Sequence, residues 1–249
     1  MNVIITGVTR GIGYNIALEF IKRGDKVIGI SRTGKELEKI REDFPLSFIP
    51  IKSDITNEEE IDNIYKKLKD MKISPDILVN NAGVGYISNF CDLSWEKNKR
   101  MISLNIIALT YMTHKFLEEI ENNDGAKGII NVSSTGACQS GGPLFATYYA
   151  SKSYVKSFSN GISEELRDKN IRVMCLLPGP TKTTFNGMEK AEGFYIMNAS
   201  KVAKIAVKDF FKGKEISIPG LTNKFLVAIG NIIPRSLELK ILKNIQNKK

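Results

Sequence analysis

Seven short apolar runs, at residues 3–6, 26–30, 46–51, 76–79, 127–132, 171–177 and 215–218, alternate along the chain with longer stretches whose apolar residues recur at helical spacing. Uninterrupted apolar runs suit strands buried on both faces, and their alternation with helices predicts a parallel sheet covered by helices on both sides. The fold class is therefore α/β, doubly wound. Right-handed crossovers then bring the carboxyl ends of the strands, and the loops that follow them, to one edge of the sheet. Gly7, Asn80, Ser134 and Pro178 all fall on that edge, where open α/β sheets bind ligands.

No Pro/Gly/Ser-rich linker divides the chain, so residues 1–249 are read as one domain. With 42% hydrophobic and 25% charged residues, it has the composition of an ordered globular protein. Ile61, Ile64, Leu68 and Met71 make a helical stripe that Asn57 and Glu60 would open as a capping box. Val155, Phe158, Ile162 and Leu166 make another, on the helix that would carry Tyr148 and Lys152 near its start.

The formal charge of +9 is concentrated at one end: residues 224–249 hold six Lys/Arg and one Glu, +5 of the total. The remainder is close to balanced, and no nucleic-acid partner is expected. Cys91, Cys138 and Cys175 are odd in number, widely spaced and without a C-x-x-C pair, which argues against a disulfide framework or a zinc site. No metal is expected. A reducing cytoplasmic setting fits, with no secretory leader and no stretch approaching the roughly 18 apolar residues of a membrane span.

The chemistry is concentrated in three places. Thr6-Gly7-Val8-Thr9-Arg10-Gly11-Ile12-Gly13 joins the first strand to an amphipathic helix, where glycines permit close backbone approach and the helix N-terminus offers N–H groups to a diphosphate. At the end of the second strand, Ser31-Arg32-Thr33 stands where a ribose-binding carboxylate would be. With Arg10, Arg32 favours the 2′-phosphate of NADP(H) over NAD(H). Tyr148 and Lys152, four residues apart, project from one face of a helix. The ammonium is expected to lower the pKa of the phenol and so prepare it for proton transfer. His114, the one histidine, matches no catalytic position and is read as structural or solvated.

On these motifs the chain resembles the short-chain dehydrogenase/reductase family from residue 3 to about residue 184. The family's T-G-x-x-x-G-I-G is met at 6–13, its N-N-A-G at Asn80-Asn81-Ala82-Gly83 and its Y-x-x-x-K at Tyr148 and Lys152. The mid-chain asparagine corresponds to Asn105, and the strand-end serine to Ser134. Pro178-Gly179-Pro180-Thr181-Lys182-Thr183 looks like the P-G motif that closes over the nicotinamide.

The resemblance implies a seven-stranded Rossmann-like sheet and hydride transfer between NADP(H) and a carbonyl or alcohol carbon, the substrate being a ketone, an aldehyde or a 3-oxoacyl group. Ser134 would hold the substrate oxygen, Tyr148 would exchange its proton, Lys152 would also hold the nicotinamide ribose, and Asn105 would maintain a water-linked proton path. Asp54 and Ile55 would contact adenine, and Asn80, Ala82 and Gly83 the adenosine ribose. Pro178, Gly179, Thr181 and Thr183 would complete the cofactor site.

Ser134 precedes Tyr148 by fourteen residues, where family members commonly have thirteen, so the Gly141-Gly142-Pro143 loop is expected to bulge. Ser133 and Thr135 could then compete for the role of Ser134. Residues 185–200, with Met188, Phe194, Tyr195 and Met197, resemble the family's substrate lid and would favour an apolar substrate, unless they form a surface helix packed by its apolar face. The extension at 221–249 is compatible with a pocket roof, a dimer contact, or contact of 224–249 with a membrane surface or an acidic carrier. A homodimer or homotetramer is expected. The alternatives to an enzyme are a non-catalytic NADP-binding regulator and a peripheral membrane interaction protein.

Overall fold

A computed structural model describes residues 1–120, 127–190, 192–230 and 232–247. Seven parallel strands form one sheet in the order β3-β2-β1-β4-β5-β6-β9, comprising β1 (Asn2–Thr6), β2 (Lys26–Ser31), β3 (Phe48–Lys52), β4 (Ile77–Asn80), β5 (Lys127–Val132), β6 (Ile171–Leu176) and β9 (Ile216–Ser217). All seven expected runs became strands. Successive side chains alternate faces: Val3 and Ile5 enter one core with α1 (Gly11–Lys22), α2 (Gly34–Asp43) and α7 (Ala199–Phe211). Ile4 enters the other core with α3 (Glu58–Asp70) and α5 (Leu109–Glu119).

The chain builds outward from β1 to β3, then returns to place β4 on the other side of β1. This reversal opens a crevice at the carboxyl ends of β1 and β4, with Gly7 on one side and Asn81 on the other. α4 (Trp95–Ile102) continues through a π-helical turn, Ser103–Ala108, into α5. α6 (Ala146–Glu165) follows β5 and lies against it.

β7 (Thr181–Lys182) and β8 (Met197–Asn198) pair in parallel, Thr181 with Met197, and clip together the two ends of the intervening segment. The expected lid thus ends sooner than 200, because Ala199 and Ser200 open α7; its Ala191 lies outside the described residues. α8 (Leu221–Gly230) and α9 (Arg235–Gln246) finish the chain, and Asn231, Lys248 and Lys249 of the expected tail also lie outside the described residues.

Two local expectations are corrected. Asn57 caps α3 by accepting from Glu59 N, but Glu60 bonds the backbone N–H of Asp54 and does not return to Asn57. Met71 has left the helix and is exposed, and Tyr65 fills the stripe instead, its hydroxyl donating to Met112 O at 2.9 Å.

Candidate functional site

The turn between β1 and α1 is fixed by geometry that other residues would strain. Gly7 and Gly11 hold φ of +67° and +60°, and a Cβ on Gly7 would stand 2.9 Å from Ala82 Cα. Asn81 ties the β4 loop to this turn by donating to Thr6 O and Gly7 O, each at 3.0 Å. α1 begins without a side-chain cap and without an acidic residue in its first turn, so its unpaired N–H groups await an external acceptor. A diphosphate fits this cradle in both charge and shape.

Beyond the cradle runs a single cavity of about 760 Å³. It is lined by Gly7, Thr9, Arg10, Gly11, Ile12, Ser31, Arg32, Asp54, Ile55, Ala82 and Gly83, and also by Ser134, Tyr148, Lys152, Pro178, Gly179, Thr181 and Thr183. Three expected site residues stand behind the wall. Gly13 packs α1 against Asn81, Asn80 donates to Thr113 Oγ1 and Asn131 Oδ1 beneath the sheet edge, and Asn105 supports the loop after β4. Asn80 is absent from the cavity lining, and Asn81 is part of it.

Asn105 sits in the π-helical turn, 1% exposed, with its amide fully used. It accepts from Val84 N and donates to Val84 O, both at 2.9 Å, and donates to Ser151 Oγ at 3.0 Å. The widened turn places this amide between the β4 loop and α6, the helix that carries the tyrosine and lysine.

Ser134 closes β5 and accepts from Gly136 N at 3.1 Å, which turns its hydroxyl toward the cavity and Tyr148. Ser133 is engaged elsewhere: its hydroxyl donates to Lys152 O at 2.7 Å. In the loop between Ser134 and Tyr148, Leu144 adopts φ +63°, and Ser134 lines the cavity together with Tyr148. The Tyr149 hydroxyl is engaged by the C-terminal helix, accepting from Gln246 Nε2 at 3.3 Å.

The Tyr148 ring is stacked on Phe145 at 4.2 Å between centroids and faces Phe185 at 5.6 Å. Lys152 Nζ lies 5.8 Å from its centroid and donates to Val132 O at 2.9 Å. Phenol and ammonium thus share one environment, but their charges respond to burial more than to each other. Loss of water pushes the phenol up to about 12, opposed in part by Ser134, and the same cause brings the ammonium down to about 8. The expected lowering of the tyrosine pKa does not occur. Desolvation outweighs the cation here, and Tyr148 is a neutral phenol able to donate.

Several lining residues were not read from the sequence. Glu36, in the first turn of α2, lines the cavity near Arg32, while Gln139, Tyr149, Leu226, Ile245 and Gln246 form the far wall. No local motif marks them, since they meet only through tertiary packing. The expected lid supplies Phe185, Asn186, Met188, Phe194 and Tyr195 to the cavity, and its first half is a kinked 3₁₀ turn rather than a packed surface helix. His114 is exposed and paired with Glu118 at 3.1 Å, away from the site.

A family model described as short chain dehydrogenase matches residues 1–193. Human very-long-chain 3-oxoacyl-CoA reductase is 33% identical, the match covering 97% of this chain and 78% of that protein. Among solved structures, a short-chain dehydrogenase from Sphingobium yanoikuyae in complex with NADPH superposes with TM-score 0.77 at 25% identity, covering 93% of each chain. The 3-ketoacyl-(acyl-carrier-protein) reductase from Brucella melitensis complexed with NADH gives 0.75 at 28% identity, over 84% of this chain and 89% of that one.

Proposed function

The chain belongs to the short-chain dehydrogenase family, an oxidoreductase family with nicotinamide cofactors, and on that premise we propose that it is an NADP(H)-dependent reductase of apolar ketones, aldehydes or 3-oxoacyl groups, or the dehydrogenase of the matching alcohols. The observation that carries this reading is the meeting of Ser134, Tyr148 and Lys152 with the Gly7–Gly11 cradle in one cavity. When bound, the dinucleotide supplies or accepts the hydride. The cradle and the first turn of α1 would hold its diphosphate, Arg10 and Arg32 a 2′-phosphate, and Lys152 its nicotinamide ribose.

Ser134 Oγ donates a hydrogen bond to the substrate oxygen and polarises the carbonyl. Tyr148 Oη gives its proton to that oxygen as negative charge develops there, and takes one back in the oxidative direction. Phe145, Phe185 and the apolar lid keep water from the phenol. Asn105 fixes the β4 loop and α6 relative to each other, and so holds the distance between cradle and proton donor.

Tyr148→Phe is expected to keep NADPH affinity within about twofold and to lower turnover by at least roughly a thousandfold, read by fluorescence titration and NADPH absorbance against a panel of carbonyl compounds. Retained turnover would remove Tyr148 from the reaction; retained biological activity without turnover would favour a nucleotide-binding regulator. Glu36 supports a second reading, NADH, because a carboxylate at this end of the cavity suits a free 2′-hydroxyl. NADPH is expected to give the higher kcat/KM, and Arg10→Ala with Arg32→Ala to reduce that preference by about ten- to a hundredfold. Preference for NADH in the unaltered chain would reverse the assignment. A cytoplasmic homodimer or homotetramer completes the proposal, with Ile107 and Tyr154 both exposed and Tyr154 bonded through its hydroxyl to Thr110; light scattering reads the mass.

A further inference from the structure

α8 and α9 present an apolar surface that the fold leaves uncovered. On α8, Leu221 and Phe225, four residues apart, are 84% and 64% exposed. Ile232, in the connection to α9, is 83% exposed. On α9, Leu237, Ile241 and Ile245 recur every fourth residue and all face solvent. The inward side of the same helix is mixed: Leu242 is buried between Glu238, which accepts from Ser140 N at 3.2 Å, and Gln246, which donates to Tyr149. A helix that turns its carboxylate inward and its isoleucines outward is built for an environment other than water.

The charge on this surface has one sign. Lys224, Arg235, Lys240 and Lys243 are exposed, and Glu238, the one acidic residue between Leu221 and Gln246 among the described residues, is buried. A second copy of the chain would set these cations against themselves, whereas an anionic bilayer complements them and accepts the apolar side chains. The surface is also continuous with the cavity, because Leu226 and Ile245 both line it and reach solvent, as does Phe194 of the lid. No helix among the described residues is long and apolar enough to cross a membrane, so the contact is peripheral.

We propose that the α8–α9 surface docks on an anionic lipid bilayer and turns the mouth of the cavity toward it. Passage of an apolar substrate from lipid to Tyr148 rests in addition on the proposed reaction; the docking itself does not.

The full chain is mixed with vesicles of phosphatidylcholine, with or without phosphatidylglycerol, and the bound fraction is read by flotation. Binding is expected to be about tenfold or more stronger to the anionic vesicles, and to fall about tenfold or more in Lys240→Glu/Lys243→Glu. Phe225→Ser/Ile232→Ser/Ile241→Ser, none of which lines the cavity, is expected to lose about tenfold or more with melting temperature and molar mass unchanged. Should the triple variant fail to fold, Ile232→Ser alone is expected to lose about threefold. Equal binding by unaltered and variant chains, or equal binding to both vesicle types, would overturn the proposal. So would a fall in molar mass of the apolar variant, which assigns the surface to a second copy, or retention on an acidic protein but not on vesicles. Flotation is read without turnover: failure here leaves the reductase reading standing, and an inactive chain that still floats leaves the docking standing.

Discussion

Lys152 is an ammonium held where water scarcely reaches it, and its neighbours satisfy it with one backbone carbonyl. Its pKa falls from the ordinary 10.5 to about 8, so between those values the folded chain binds fewer protons than the unfolded one. Stability from this group is therefore intact above pH 10.5, declines as pH falls toward 8, and is lost in full below that, at a cost of roughly 3 kcal/mol. Lys152→Met is expected to melt at a higher temperature than the unaltered chain near pH 7 and to lose that advantage near pH 10.5, with turnover abolished; melts at both pH values check this. The same titration places a falling limb near pH 8 in kcat/KM for carbonyl reduction. A profile flat to about pH 10 would mean that the charged amine is not required. Tyr148 and Lys152 were legible in the sequence because their spacing puts them on one helix face, and Ser134 was legible only through the family resemblance. Their protonation was not, since it depends on how much water the surrounding rings remove.

The elements that frame the site were legible to different degrees. Strand positions followed from apolar runs, and α6 from its stripe, because burial on a sheet leaves a periodic trace. The π-helical turn around Asn105 left none: one extra residue in a helix does not disturb the apolar spacing enough to be read. Glu60 and Met71 show the same limit at helix ends, where cap partners are chosen by the incoming loop. The glycine turn is the element with the least tolerance. A methyl group at Gly13 would press into Asn81 and Gly7 O, and both belong to the hydrogen bonds that join the cradle to β4. Gly13→Ala is expected to lower stability by about 1–3 kcal/mol and NADPH affinity by at least about tenfold. Urea unfolding and nucleotide titration measure the two effects separately, and affinity kept at full strength would show that the cradle can yield.

At the scale of the whole molecule, two sets of residues lining the cavity come from different parts of the chain. The dinucleotide set uses residues up to about Thr183, while the far substrate wall is completed by α8 and α9. The sequence marked the first set through motifs and left the second open among roof, dimer and membrane. An amphipathic helix announces that it has two faces but not what each one meets. Glu238→Ala with Gln246→Ala is expected to lower kcat/KM for an apolar carbonyl by about tenfold or more while leaving NADPH affinity unchanged; a parallel loss of nucleotide affinity would show that the two sets are mechanically one. Ser140 and Tyr149 wait for partners 98 and 97 residues further along the chain. During synthesis the β1–α1 turn therefore leaves the ribosome long before the two helices that finish the cavity, and the wall they form is the last part of the molecule to be laid down.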